Sequence, residues 1–128
     1  NTKKRLVIEN DDSPNEYSVK DLYEGVYKKI GIPVTFDYFH HKFNTGGQTE
    51  EEALRLAATT WPENVPQCCH YSESRRKEKL DESIRPQAHS DIIYDEIKTY
   101  GLEPDIVIEA KLKEQAIFNY GKTKTICG

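Results

Sequence analysis

The chain has 128 residues and a formal net charge of −4, from 18 Lys and Arg against 22 Asp and Glu. That length suits one domain with a buried core, and the acidic balance argues against a protein that grips nucleic acid by a general basic surface. No apolar run approaches the roughly 20 residues of a membrane helix, and no secretory leader is visible.

A first apolar strand, Leu6-Val7-Ile8, ends at Glu9 and a polar turn, Asn10 to Glu16. A helix follows. Ser18 can cap it with Asp21 three positions on, and Val19, Leu22, Tyr23, Val26, Tyr27 and Ile30 keep helical spacing. Gly31 is placed to end it. A second strand, Ile32 to Phe36, ends at Asp37, and a loop then carries His40, His41 and Gly46-Gly47. Thr49 and Glu52 make a capping box for a helix marked by Ala53, Leu54, Leu56 and Ala57. A third strand, Val65 to Cys69, ends at His70 and opens into a long polar loop, Ser72 to Arg85. The next helix is expected from His89 or Ser90, with Ile92, Ile93 and Ile97, to Gly101. A fourth strand, Asp105 to Ile108, ends at Glu109, and a last helix is expected over Lys111 to Asn119.

The order is therefore βαβαβαβα. Strands alternating with helices predict an α/β fold with a parallel sheet, and short, continuously apolar strands fit burial on both faces. Four such units suit either a small open sheet or half of a (β/α)8 barrel of about 250 residues. Having no methionine, the sequence reads as part of a longer chain, with residues 1–128 forming a single domain. The three cysteines, Cys68, Cys69 and Cys127, show neither a disulfide framework nor a CxxC zinc spacing. That points to a reducing compartment, a bacterial cytoplasm or a eukaryotic nucleus.

The chemistry gathers where the strands end. Glu9, Asp37, His70 and Glu109 each follow an apolar strand, and in parallel α/β folds the carboxyl ends of strands form the functional face. A lone acid after a strand is more often a cap or a solvated residue, and a lone histidine more often structural. Four residues in the same slot are much harder to place by chance. Three acids brought together repel, and divalent cations supply the compensation. Mixed oxygen and nitrogen donors suit zinc or manganese, with magnesium a further candidate. His40, three residues past Asp37, can reach the same cluster, whereas His41 points elsewhere. His89 is either a ligand or a helix-entry residue. Arg75, Arg76 and Lys77 offer phosphate contacts that position nucleic acid without reading its sequence, although Glu78, Asp81 and Glu82 dilute the charge.

Five blocks carry a resemblance: Leu6 to Asp12, Ile32 to His41, His70 to Ser74, Ala88 to Asp91 and Ile108 to Glu114. In this order they closely resemble motifs of the UV damage endonuclease family. The resemblance implies the C-terminal half of a TIM barrel that nicks double-stranded DNA 5′ to UV photolesions, using divalent metals with manganese favoured. It implies that Glu9 bridges two metals, that Asp37, His70 and Glu109 ligate one shared with it, and that His40 and His89 serve a further metal. By the same resemblance Glu9, Asp37 and Glu109 are the catalytic set. It also implies further ligands and lesion-probing residues on a first half not contained in these residues, and a lysine where this chain has Cys68. The sheet edges would be covered by that remainder or by another chain, with no membrane partner. A metal-dependent TIM-barrel sugar isomerase or epimerase, or an inactive nuclease fragment, are the alternatives.

Overall fold

The structure is a computed structural model and describes residues 6–112. Four strands, β1 (Ile8–Glu9), β2 (Val34–Asp37), β3 (Cys68–Tyr71) and β4 (Asp105–Ile108), form one sheet in sequential order. Every neighbouring pair is parallel. The register sets Asp37 beside His70 and Tyr71 beside Ile108, so the carboxyl ends of β2, β3 and β4 lie level.

Alternation along the strands separates two faces. Val34, Phe36, Cys69 and Ile106 are fully buried on one of them. Against that face pack Val19 and Leu22 from α1 (Val19–Leu22) and Ala53, Leu54 and Ala57 from a later helix, α4 (Glu50–Ala58). Asp37 and His70, one step along in register, belong to the opposite face. The core thus fixes which strand residues are left for chemistry.

The helix starts follow the sequence closely. Ser18 and Asp21 form one capping box and Thr49 and Glu52 another. After α1 the chain continues through a π-helical turn, Tyr23–Tyr27, into α2 (Lys28–Ile30), which ends at Gly31 with φ 73°. Gly46, at φ 61°, lies against the Ser18 cap, where an added Cβ would stand 2.8 Å from the Ser18 Cβ. Glycine is required there on both counts.

Four expectations need correction. The strands begin late: Pro33 and Pro66 have no amide to donate, so β2 and β3 start beyond them and take in Asp37 and His70. The stretch with His40 and His41 is a helix, α3 (Tyr38–Phe43), because the Asp37 carboxylate caps it by accepting from the Phe39 and His40 amides. The basic stretch is a short helix, α5 (Arg75–Lys79), capped by Ser74. The helix expected from His89 or Ser90 to Gly101 is irregular chain instead. Its amides are taken by carboxylates: Glu78 accepts from Asp91 and Ile92, and Glu73 from Tyr94 and Asp95. Those bonds displace the helical ladder while Ile93 and Ile97 still reach the core. The helix expected beyond Lys111 falls almost wholly outside the described residues.

Candidate metal centre

Glu9 ends β1, Asp37 ends β2, His70 lies in β3 and Glu109 follows β4 directly. The Glu109 amide donates to the Tyr71 carbonyl at 2.8 Å, which extends the ladder by one step and holds Glu109 at the rim. His40 comes from the first turn of α3, whose start the Asp37 cap determines.

The five side chains meet. His40 Nδ1 stands 3.5 Å from Glu9 Oε2 and 3.5 Å from Asp37 Oδ2. His70 Nδ1 is 3.3 Å from Glu9 Oε2 and 4.0 Å from Glu109 Oε1. They form two overlapping donor groups, Glu9 with Asp37 and His40, and Asp37 with His70 and Glu109. Glu9 Oε2 faces both histidines and so connects the groups. Asp37 is buried, whereas the Glu109 side chain is 38% exposed and open to solvent.

Asn10 anchors this arrangement. It is almost fully buried. Its side-chain amide donates to the Asp37 carbonyl at 3.1 Å, and its side-chain oxygen accepts from the Asp37 amide at 2.8 Å. Its own carbonyl lies 2.8 Å from His40 Nδ1. A carbonyl only accepts, so this contact puts a proton on Nδ1 and leaves Nε2 with the free lone pair. One residue therefore locks the ends of β1 and β2 together and orients the His40 ring.

The electrostatics are those of a crowded acid cluster. Burial, with the neighbouring Glu9 carboxylate, pushes the Asp37 carboxyl up to about 8. Burial also works to raise Glu9, but hydrogen bonds from His70 and Asp37 and the two imidazoles outweigh it and hold Glu9 low. His70 is raised, chiefly by its hydrogen bond to Glu9. Burial, the largest single influence, opposes protonation of His40, yet the Asp37 carboxyl, the Asn10 carbonyl and the Glu9 carboxylate together outweigh it and raise it. Without a cation the cluster is neutralised by protons. Mixed carboxylate and imidazole donors that need protons to coexist fit a divalent ion.

The remaining expected residues sit elsewhere. The His89 ring packs edge-on against Phe39 at 5.8 Å, and its backbone bridges Ser74. It belongs to neither donor group. His41 is buried against the Phe36 ring at 5.5 Å. Arg75 is ion-paired to Asp91, and Arg76 is ion-paired to Glu82 and donates a hydrogen bond to the Ile84 carbonyl. Lys77 is exposed. Cys68 shares the face of His70 and is not free, and Cys69 is the buried free thiol.

Parallel strands whose carboxyl ends carry an acid and histidine cluster define the class: an α/β protein with a candidate metal centre in the position used by barrel enzymes. The family model described as UV-endonuclease UvdE matches residues 1–126, and the chain belongs to that family. It is 36% identical over 122 residues to the UV-damage endonuclease of Schizosaccharomyces pombe, covering 91% of this chain and 20% of that protein. It is 34% identical over 125 residues to the UV DNA damage endonuclease of Bacillus pumilus, covering 90% and 36% respectively. The crystal structure of SacUVDE, a TIM-barrel protein, superposes with a TM-score of 0.69 at 35% identity, over 88% of this chain and 37% of that one. The chain thus spans between a fifth and two fifths of the length of these relatives.

Proposed function

We propose that this chain forms the C-terminal, metal-bearing half of a TIM-barrel endonuclease that nicks double-stranded DNA 5′ to UV photolesions inside the cell. The observation that carries this reading is the meeting of Glu9, Asp37, His70 and Glu109 from four consecutive parallel strands, in a chain of the UV endonuclease family. A bound divalent cation, manganese by preference, would neutralise the phosphate and make a water nucleophilic at neutral pH.

The chain's own residues have the following roles in this reading. Glu9, facing both histidines, connects the two donor groups and would offer its carboxylate to a bound cation. Asp37, fixed by its amide bonds and by Asn10, is a rigid ligand. His40 and His70 supply nitrogen donors, which favour manganese or zinc over magnesium. Glu109, at the solvent-facing rim, is placed to accept a proton from the attacking water. His89 would join a further metal only with ligands from outside the described residues. The basic α5 helix supplies phosphate contacts, with Lys77 the exposed member of Arg75, Arg76 and Lys77.

The test is Glu9→Gln, assayed by nicking of UV-irradiated plasmid with manganese. The charge is lost and the shape kept, and a decrease greater than about 100-fold is expected, as for loss of a metal-site group. Nicking at the wild-type rate would remove Glu9 from the site and with it this reading.

A further inference from the structure

A cavity of about 200 Å³ opens beside α3, walled by Phe39, Phe43, Pro86 and Tyr94. It is smaller than the roughly 300–1,000 Å³ of small-molecule sites, so it has room for one planar group. Phe39 immediately precedes His40 on α3, and the whole six-residue helix is about 9 Å long. The cavity therefore lies within one or two nucleotides of the candidate metal centre.

Three cations line it: Lys42, Arg76 and Lys77. Arg76 is occupied by Glu82 and the Ile84 carbonyl. Lys42 and Lys77 are exposed and, among the described residues, form no ion pair. Two acids also line it, Glu73 and Asp95. The Glu73 carboxyl is buried and turned inward, bonded to the Tyr71 hydroxyl and to the amides of Tyr94 and Asp95. That leaves Asp95 against the cations, in a protein whose net charge is −4.

An aromatic-walled cavity with unpaired ammonium groups at its mouth has the two parts needed to hold a nucleotide, a stacking surface and phosphate partners. We propose that this cavity is a DNA-strand subsite. Lys42 and Lys77 hold a backbone phosphate flanking the one that is cut, and the Tyr94 ring takes the adjoining base. The inference rests on the endonuclease reading above and adds contacts that reading does not assign. Of the three expected phosphate contacts it keeps Lys77, sets aside Arg75 and Arg76, which are engaged within the protein, and adds Lys42.

The experiment measures binding of a short fluorescein-labelled, UV-irradiated duplex by anisotropy across a salt series, alongside plasmid nicking. Lys42→Ala and Lys77→Ala are compared with Lys29→Ala, an exposed control on α2 that does not line the cavity. The double variant is expected to lower the slope of log K against log salt by about 0.9, the value for loss of one phosphate contact. Tyr94→Ala is expected to weaken binding about tenfold. Lys29→Ala should match the wild type. If the double variant and Lys29→Ala have the wild-type slope while wild-type nicking is intact, the subsite is wrong and the endonuclease reading stands. If the complete wild-type protein, of which this chain is read as one half, neither binds nor nicks the duplex, both fall. Thermal melting of each variant shows that the exposed substitutions leave the fold intact.

Discussion

Asn10 follows Glu9 directly, and in the sequence it looks like the first residue of a polar turn. Its side chain instead closes two hydrogen bonds with the Asp37 backbone, and its carbonyl meets the His40 ring. Asn10→Ala would leave a buried donor and acceptor unpaired, at a cost of about 1–3 kcal/mol. It should also weaken metal binding about 10–100-fold, as loss of a ligand-orienting group does. Calorimetric manganese titration and thermal melting read the two effects separately, and unchanged affinity would confine Asn10 to a structural role. Protonation gives a second residue-scale prediction. Asp37, His40 and His70 all have folded-state values raised above their unfolded ones, so their stabilising contribution is present at low pH and lost as pH rises through the folded values. Glu9 runs the other way, but its contribution is already complete above its unfolded value of 4.5. Chelated protein should therefore lose stability between about pH 5 and pH 9. Added manganese should reduce that loss, with urea midpoints as the measurement. The acids and His40 and His70 were legible because each sits at or just beyond an apolar strand's end. Asn10 was not, because a hydrogen bond over 27 residues leaves no periodic trace.

Capping chemistry was legible at the scale of the element. Ser18 with Asp21 and Thr49 with Glu52 start helices where the spacing put them. The stretch after His89 has isoleucine spacing that mimics a helix, yet it is irregular because distant carboxylates claim its amides. Glu73 is central: its carboxyl is buried, bonded to the Tyr71 hydroxyl and to two amides of the irregular stretch. Glu73→Gln keeps the volume but removes one accepting oxygen. It should cost about 1–3 kcal/mol and speed hydrogen exchange at the Tyr94 and Asp95 amides in particular. Unchanged exchange there would mean that the stretch is held by its isoleucines alone.

The strand order and parallel pairing of the whole molecule follow from the alternation of apolar runs and helices, and they were legible. What lies beyond the sheet's edges was not. Among the described residues β1 pairs only with β2, and β4 only with β3. Leu6 and Val7, leading into β1, are close to half exposed. A parallel sheet with two such edges tends to acquire further strands. The 128-residue chain by itself is expected to associate as its concentration rises, followed by sedimentation velocity, and on the half-barrel proposal co-expression with the rest of the barrel should suppress that. A monomer at all concentrations would show that the edges are protected some other way.

The Asp37 carboxyl group has one consequence for ion choice. Its Oδ1 already accepts from the Phe39 and His40 amides, so Oδ2 alone faces the cluster. Asp37 can then offer an ion one oxygen and never two. Calcium favours six to eight oxygens and often takes carboxylates two oxygens at a time. With half of its carboxylate committed to starting a helix, Asp37 would disfavour calcium if the candidate site holds an ion, a discrimination built from a peptide cap and not from the size of the cavity.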